Sequence, residues 1–388
     1  MSQTKKKRIG IDARFYGPLG KGLGRYTQEI VDNIIKIDEE NDYVIFLAKE
    51  NFDEFISPSA RIKKVKVNIR CYTWREQIIF PFYILKEHLD LIHFTHFNIP
   101  IFCPIKFIVT IHDLILTKFP TVRASTLQPF LYRFKNLAYR FVISQAVRKA
   151  KKIISVSNFT KQDILHNFKV RANKIIVTYE GVANLAKGQD NLFVQKLNQK
   201  ETLELYNIKG KFLLYVGNAY PHKNLEGFLI IFKKILLKYP DLYLVLVGKE
   251  DYFYNRVKDK AKELDLGDKV IFPGYVPDAK LENLYALALA YVFPSFYEGF
   301  GLPPLEAAAK GCPVISSNRS AMPEVLGEAA LYFNPEDIDE FIVALEKINS
   351  EQFRQDLINK GFAQAKKYNW WECAWQTLEV YKSVLEKE

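Results

Sequence analysis

The stretch Phe293-Pro-Ser-Phe-Tyr-Glu298-Gly-Phe-Gly-Leu-Pro-Pro-Leu-Glu306 leads from the end of an apolar segment into a proline pair. Proline fits the first positions of a helix but lacks a backbone donor, so we predict a loop followed by a helix that begins near Pro303. Glu298 then lies in the loop, and Glu306 lies about one turn into the helix. A strand, a glycine-containing loop and a helix in this order are typical of parallel α/β structure.

The backbone amides between these two carboxylates belong to Gly299, Phe300, Gly301 and Leu302. Amides at the N-terminal end of a helix bind phosphate with the help of the helix dipole, and glycine lets the backbone come close to the ligand. The carboxylates on either side can accept hydrogen bonds from hydroxyl groups. The segment therefore predicts a ligand with hydroxyls on both sides of a phosphate, as in a nucleotide-sugar.

The same alternation of short β-branched runs and helical patterns extends over both halves of the chain. It is lost over about residues 183–210, which are polar and which we predict to be a linker. The sequence therefore predicts an α/β protein with two doubly wound halves and a cleft between them, where ligands bind beyond the carboxyl ends of strands. The predicted strands include Phe107–Ile111, Phe212–Val216 and Tyr243–Val247.

Composition places the chain among ordinary globular proteins. It has 388 residues, of which 48% are hydrophobic and 26% charged. Four scattered cysteines form no C-x-x-C pair, which argues against structural zinc and a disulfide framework and favours a reducing compartment. The basic N-terminus has no apolar core of signal-peptide length, and apolar runs such as residues 78–85 are too short to span a bilayer. We expect a cytoplasmic protein, either soluble or peripheral on the cytoplasmic membrane face.

Positive charge is concentrated in the first half of the chain. Residues 1–190 contain 31 Lys/Arg and 17 Asp/Glu, a net +14, whereas residues 191–388 contain 24 and 27, a net −3. A solvated basic face is one explanation, but we favour an anionic membrane or a diphosphate-linked lipid acceptor as the partner. Nucleic acid is not expected, because no recognised binding module is present. Between Asp113 and Asp163 there is no acidic residue, and the basic ones are Lys118, Arg123, Arg133, Lys135, Arg140, Arg148, Lys149, Lys151, Lys152 and Lys161.

The opening stretch resembles the E-x7-E motif of the retaining GT-B glycosyltransferases of family four, the glycosyl transferases group 1. The resemblance covers nearly the whole chain, because further landmarks of that family occur in the right order. It implies two Rossmann-like domains facing each other across a cleft. Residues 1–190 would form the acceptor domain and 191–373 the nucleotide-sugar donor domain, with a C-terminal helix, 374–388, crossing back to the first. The other landmarks are Gly20-Lys-Gly-Leu-Gly24-Arg25-Tyr26, Thr110-Ile-His112-Asp113-Leu114, Ser155-Val-Ser157-Asn158-Phe159-Thr160, Gly217-Asn-Ala-Tyr-Pro-His-Lys223-Asn224 and Pro273-Gly274-Tyr275-Val276.

The resemblance also implies roles for individual residues. Glu306 would accept hydrogen bonds from the ribose hydroxyls, and Glu298 with the following amides would hold the donor sugar and the diphosphate. Lys223 would stabilise the charge on the leaving diphosphate. His112 would lie near the reacting face of the donor sugar and contribute its backbone carbonyl and its side chain. The alternatives are a helix-start glutamate favoured by the dipole, a solvated lysine and a histidine that caps a loop.

Asn218 and the glycines before Arg25 each depart from a known sequence motif. Many relatives carry an arginine where Asn218 stands, so Lys223 is expected to take more of the phosphate binding. Gly22 and Gly24 lie in a predicted loop before a helix that opens at about Arg25, and their spacing does not fit the dinucleotide motif G-x-G-x-x-G. The resemblance implies that this is a mobile loop near the donor phosphates or the acceptor; the alternative is an ordinary flexible turn.

The expected activity is metal-independent transfer of a hexose, mannose or a related sugar, in surface polysaccharide or glycolipid assembly. The donor would be a nucleoside diphosphate sugar, the acceptor a glycan or lipid-linked glycan, and the anomeric configuration would be retained by front-face displacement. No cofactor and no metal are expected, since the one D-x-D match, Asp337-Ile-Asp339, is better explained as a helix N-cap. Two alternatives remain open: a GT-B-type sugar-nucleotide epimerase and a basic nucleic-acid-binding protein.

Overall fold

The chain forms two compact α/β units, each built on one parallel sheet. The computed structural model describes residues 6–119, 129–182 and 192–386. The first unit contains residues 6–117, 129–181 and 369–386, and the second contains residues 118–119, 182 and 192–368. The α/β class predicted from the sequence, with two doubly wound sheets, is confirmed.

The sheet of the first unit has seven parallel strands. In chain order they are β1 (Arg8–Asp12), β2 (Asp42–Ala48), β3 (Ile62–Val67), β4 (Leu91–Phe94), β5 (Phe107–Ile111), β6 (Lys152–Ser155) and β7 (Ile175–Val177). Their order across the sheet is β3-β2-β1-β4-β5-β6-β7. The direction of winding reverses between β1 and β4, and in open α/β sheets ligands bind at such a point, beyond the carboxyl ends of the strands.

The helices of this half cover the sheet and supply its core. Phe80 and Ile84 from one helix and Ile143 from another pack with strand residues such as Ile92 and Val109 in one buried cluster. Burial of both faces explains why the central strands read as continuous apolar runs. The helices are α1 (Lys21–Ile37), α2 (Trp74–Lys86), α3 (Ile115–Lys118), α4 (Pro129–Lys149) and α5 (Asn158–Asn167).

The sheet of the second unit has six parallel strands. They are β8 (Phe212–Val216), β9 (Tyr243–Val247), β10 (Val270–Gly274), β11 (Ala290–Phe293), β12 (Val314–Ser317) and β13 (Ala330–Phe333). Their order is β10-β9-β8-β11-β12-β13, so the winding reverses between β8 and β11. The segments that follow these two adjacent strands contain Lys223 and Glu298. The topology therefore brings residues 75 positions apart in sequence to one edge of the sheet.

The remaining helices belong to the second half of the chain. The last of them belongs to the first unit, where it packs against α1. Its Tyr381 hydroxyl lies 2.6 Å from Nδ1 of His93, at the end of a buried chain that continues from His93 Nε2 to Thr110. Within the described ranges no helix is both long and apolar enough to cross a membrane. The helices are α6 (Leu192–Leu205), α7 (Leu225–Ile235), α8 (Tyr252–Glu263), α9 (Asp278–Leu287), α10 (Leu302–Ala309), α11 (Met322–Leu326), α12 (Ile338–Ile348), α13 (Glu351–Ala365) and α14 (Trp370–Leu385).

The predicted linker over residues 183–210 is wrong for its second part. Helix α6 occupies Leu192–Leu205, and its buried Thr202 accepts a hydrogen bond of 3.0 Å from Asn283 of α9. Tertiary packing against α9 therefore stabilises a helix in a segment whose polarity indicated a loop. Residues 183–191 lie outside the described residues.

Candidate active site

A buried ion pair joins Lys223 and Glu298 in the second unit. Lys223 ends a short 3₁₀ turn after β8, and Glu298 lies in the loop between β11 and α10. The distance between Nζ of Lys223 and Oε1 of Glu298 is 2.6 Å, and both side chains are largely buried. A buried charge is costly without a partner, so removal of either residue would leave the other side chain buried and unpaired.

The carboxylate of Glu298 is held from one side. Ser295 Oγ lies 2.5 Å from the same Oε1, and the backbone N–H of Glu298 donates to Ser320 Oγ at 2.9 Å. No described residue donates to the second oxygen, Oε2. The pair is therefore anchored through Oε1, and Oε2 can accept a hydrogen bond from a ligand hydroxyl.

The turn that carries Lys223 is fixed to the Glu298 loop through His222. The carbonyl oxygen of His222 accepts from the N–H of Phe296 at 2.8 Å and lies 3.1 Å from Ser295 Oγ. Burial, helped by the neighbouring Lys223 cation, lowers the pKa of the His222 imidazole to about 4. His222 is therefore neutral at physiological pH, and the single cation of this turn is Lys223.

Asn218 closes the turn that follows β8. Its Oδ1 accepts from the N–H of Tyr220 at 3.4 Å, and its carbonyl oxygen accepts from the Tyr215 hydroxyl at 2.7 Å. The neutral amide thus takes part in local backbone contacts and brings no charge to the site. Its assignment as a donor-binding residue stays a prediction.

The loop that follows Glu298 enters α10 through a left-handed residue. Gly301 has φ of 93°, and a Cβ there would lie 2.2 Å from Cε of Met322. Only glycine fits both conditions without strain. The side chain of Phe300 is buried and its ring meets Tyr368 edge-on at 5.5 Å, so only its backbone can serve a ligand.

Helix α10 begins at Leu302, one residue before the predicted start near Pro303. Of its first four residues, Pro303 and Pro304 lack an N–H group, so the helix itself offers amides only from Leu302 and Leu305. A phosphate at this end would therefore also depend on the loop amides of 299–301. Glu306 is the fifth residue of α10 and is half-buried, at the position predicted for it.

In the first unit, His112 follows β5 and has both ring nitrogens bound. Nδ1 lies 3.1 Å from Oε1 of Glu180, and Nε2 lies 3.0 Å from the carbonyl oxygen of Thr95. A carboxylate and a carbonyl oxygen both accept hydrogen bonds, so these contacts favour the doubly protonated imidazolium form of His112. Burial lowers the pKa of His112, but the hydrogen bond and charge of Glu180 outweigh it and leave the pKa raised.

The protein contacts of His112 also restrict its predicted role. Its ring packs edge-on against Tyr26 at 4.5 Å, and its backbone carbonyl lies 3.2 Å from Thr160 Oγ1. Its role at the donor sugar stays a prediction. Glu180, which sequence reasoning missed, is a buried acid shortly after β7, and an acidic residue just beyond the carboxyl end of a buried strand is the signal that could have found it.

Gly22 and Gly24 lie in helix α1, so the predicted loop before Arg25 is wrong. A Cβ on Gly24 would lie 2.1 Å from the carbonyl oxygen of Gly17, whereas a Cβ on Gly22 would meet no described atom within 4 Å. The first turns of α1 pack closely on the chain that follows β1, so residue 24 must be glycine. This close approach allows the helix to begin at Lys21. The contact of these glycines with a donor stays a prediction.

The candidate metal motif is a helix cap. Asp337 precedes α12, and its Oδ1 accepts from the N–H groups of Asp339 and Glu340, as the sequence indicated. Across the described ranges, no group of three or more His, Cys, Asp or Glu side chains is arranged to hold a metal ion. Metal independence stays a prediction.

Family comparison assigns each half of the chain. Residues 195–364 match the family described as glycosyl transferases group 1, and residues 21–183 match glycosyltransferase family 4. The O-antigen chain mannosyltransferase B of Escherichia coli is 28% identical over 93% of this chain and 96% of its own length. The O-antigen chain mannosyltransferase RfbU of Salmonella typhimurium is 34% identical over 63% of this chain and 65% of its own length.

Solved structures share the fold at low sequence identity. Sucrose-phosphate synthase from Thermosynechococcus elongatus superimposes with a TM-score of 0.78 at 19% identity, covering 99% of this chain and 100% of that one. Anabaena HepE, solved in complex with UDP and glucose, gives a TM-score of 0.72 at 16% identity, covering 97% and 100%. These likenesses concern the architecture.

Proposed function

Because the chain belongs to the family 4 glycosyltransferases and has their GT-B architecture, we propose that it transfers mannose or a related hexose from a nucleoside diphosphate sugar to a glycan or lipid-linked glycan. The observation that carries this proposal is the buried pair of Lys223 and Glu298 at the reversal point between β8 and β11. Two relatives named as O-antigen mannosyltransferases favour mannose and surface polysaccharide assembly.

The donor is assigned to the second unit. Oε2 of Glu298 would accept from a sugar hydroxyl, and Glu306 on α10 would accept from the ribose hydroxyls. Lys223 has three N–H groups, of which one is used by Glu298, so the others are available to the diphosphate. The amides of residues 299–302 would complete the phosphate site, with Asn218 adding a neutral contact where relatives have an arginine.

We propose retention of the anomeric configuration by front-face displacement. The acceptor hydroxyl attacks the anomeric carbon as the bond to the diphosphate oxygen breaks, and the hydroxyl proton passes to that departing oxygen. Lys223 would stabilise the negative charge that grows on the diphosphate. The imidazolium of His112, fixed by Glu180 and Thr95, would present a positive charge at the site rather than act as a base.

We further propose that the reaction needs no metal or cofactor, because Lys223 supplies the cation that a metal would otherwise provide. The acceptor would bind to the basic first unit. The protein would lie in the cytoplasm, peripheral to an anionic membrane. Net charge of +14 over residues 1–190 supports an anionic partner, and nucleic acid is not proposed as one.

The test is a transfer assay with an alkyl α-D-mannoside as acceptor and GDP-mannose, UDP-glucose or ADP-glucose as donor, in the presence of EDTA. We expect one donor to release its nucleoside diphosphate and to give an α-linked product, identified by the one-bond carbon–proton coupling at the anomeric centre. Glu298→Gln should abolish transfer, whereas Glu346→Gln, at an exposed ion pair of the same unit, should not. A β-linked product, or full activity in Glu298→Gln, would overturn the proposal.

A further inference from the structure

Helix α2 carries apolar side chains on two opposite faces. Phe80 and Ile84 face the core of the first unit, together with the buried carboxylate of Glu76. A surface helix normally keeps its apolar residues on the stripe that faces the core. On the opposite face, at helical spacings of four, four and three, the exposed fractions are 73% for Trp74, 57% for Ile78, 65% for Phe82 and 49% for Leu85.

The loop before β5 extends this outer face. Gln77 of α2 donates to the carbonyl oxygen of Ile99 at 3.0 Å and accepts from the N–H of Ile101 at 2.8 Å, which holds the loop against the helix. The next residue, Phe102, is 80% exposed. Lys149 Nζ lies 5.2 Å from the centre of the Phe102 ring and donates to the carbonyl oxygen of Ile101. The outer face thus combines large apolar groups with a neighbouring cation.

The chain around this face is cationic. Glu76 is the only carboxylate from residue 61 to residue 86, and it is fully buried and paired with Arg14 at 2.6 Å. Within the described ranges, Arg70, Arg75 and Lys86 have no carboxylate partner. The exposed surface of this segment therefore carries only positive charge. Its cations are Arg61, Lys63, Lys64, Lys66, Arg70, Arg75 and Lys86, of which Lys63 is paired with Glu87 just beyond the segment.

We propose that the outer face of α2, defined by Trp74, Ile78, Phe82 and Leu85 with the adjoining Phe102, inserts into the interfacial region of an anionic lipid bilayer. An apolar helix face with cations beside it gains from both apolar burial and attraction to anionic headgroups. Tryptophan at one end suits the headgroup level. A second copy of this chain fits less well, because a twofold interface would bring the same cations together.

This inference deepens the proposed function and rests on it for its purpose, since a lipid-linked acceptor would lie in the same bilayer. The surface itself is distinct from the residues assigned to the donor. Vesicle binding can therefore be measured without donor or acceptor, and it can fail or succeed independently of sugar transfer.

The test is sedimentation of the full-length protein with phosphatidylcholine vesicles that contain or lack phosphatidylglycerol. Binding is expected only to the anionic vesicles, with a blue shift of tryptophan fluorescence that Trp74→Phe diminishes. Phe82→Ser should weaken partitioning about tenfold or more, and Arg75→Ala about fivefold. Leu237→Ser, which changes an 88% exposed leucine in the second unit, is the matched control and should bind as the wild type does.

Three results would overturn the proposal. They are no binding to anionic vesicles, equal binding to neutral vesicles, or binding that Phe82→Ser leaves unchanged. A dimer in sedimentation velocity that Phe82→Ser dissociates would assign the face to a second copy instead. Lys223→Ala should lose sugar transfer and still bind vesicles, so failure of the proposed function and failure of this surface are distinguishable.

Discussion

Replacing Glu180 with glutamine tests the electrostatic state of His112. The folded-state pKa of His112 is raised, so its protonation stabilises the protein below pH about 6.5 and that contribution is lost as pH rises through the folded pKa. At pH 6 Glu180→Gln removes the counter-ion of the buried imidazolium, so the ring is left charged and unpaired or gives up its proton, at a cost of about 1–3 kcal/mol of unfolding free energy. At pH 9 a smaller fraction of His112 is protonated, so the loss should be smaller, about 1 kcal/mol where only an altered hydrogen bond remains.

The assay is urea unfolding at both pH values, combined with NMR titration of the histidine side chains. Glu180→Gln should lower the pKa of His112 and should reduce stability more at pH 6 than at pH 9. Glu379→Gln, an exposed carboxylate of the same unit paired with Lys382, should change neither quantity for His112. Equal destabilisation at the two pH values, or a wild-type His112 that titrates below an ordinary histidine, would refute the reasoning.

Three further substitutions test the packing around the site. Lys223→Ala leaves the buried Glu298 carboxylate without its partner and should lower the free energy of unfolding in urea by ~3–5 kcal/mol. The double variant Lys223→Ala/Glu298→Ala should lose less than the sum of the two single losses, and additive losses would contradict the ion pair. Gly24→Ala should be clearly destabilising by thermal unfolding, whereas Gly22→Ala should be neutral or stabilising by up to about 1 kcal/mol, and equal effects would contradict the helical packing. Gly301→Ala should cost about 1–3 kcal/mol from its positive φ alone, and an unchanged melting temperature would argue against that backbone geometry.

Much of the fold could be predicted because its central strands are buried on both faces. Phe107–Ile111, Phe212–Val216 and Tyr243–Val247 have the bounds that the sequence indicated. The four-residue β13 (Ala330–Phe333) was missed, because a strand so short at the edge of the sheet leaves almost no pattern. Helix α6 was missed because its stability comes from contact with α9, which is far along the chain.

The positions of Glu298 and Glu306 in the fold were predictable from the sequence, and their contacts were less so. The proline pair and the glycines placed Glu298 in a loop and Glu306 on a helix, since these depend on local backbone rules. The bonds of Glu298 to Lys223 and of Glu180 to His112 join residues 75 and 68 positions apart, and only the order of strands brings them together. The apolar outer face of α2 was also hidden, since the sequence does not show which of two apolar stripes faces the core.

The most direct test of donor binding is a thermal-shift series with GDP-mannose, UDP-glucose and ADP-glucose on the wild type and on Glu306→Ala. A ligand that binds the native state raises its melting temperature, by an amount set by concentration and affinity. We expect one nucleotide-sugar to stabilise the wild type and to lose most of that effect in Glu306→Ala, while the unliganded proteins melt alike. If none of the three donors shifts the wild type, or if Glu306→Ala responds as the wild type does, donor binding by α10 and its preceding loop is contradicted.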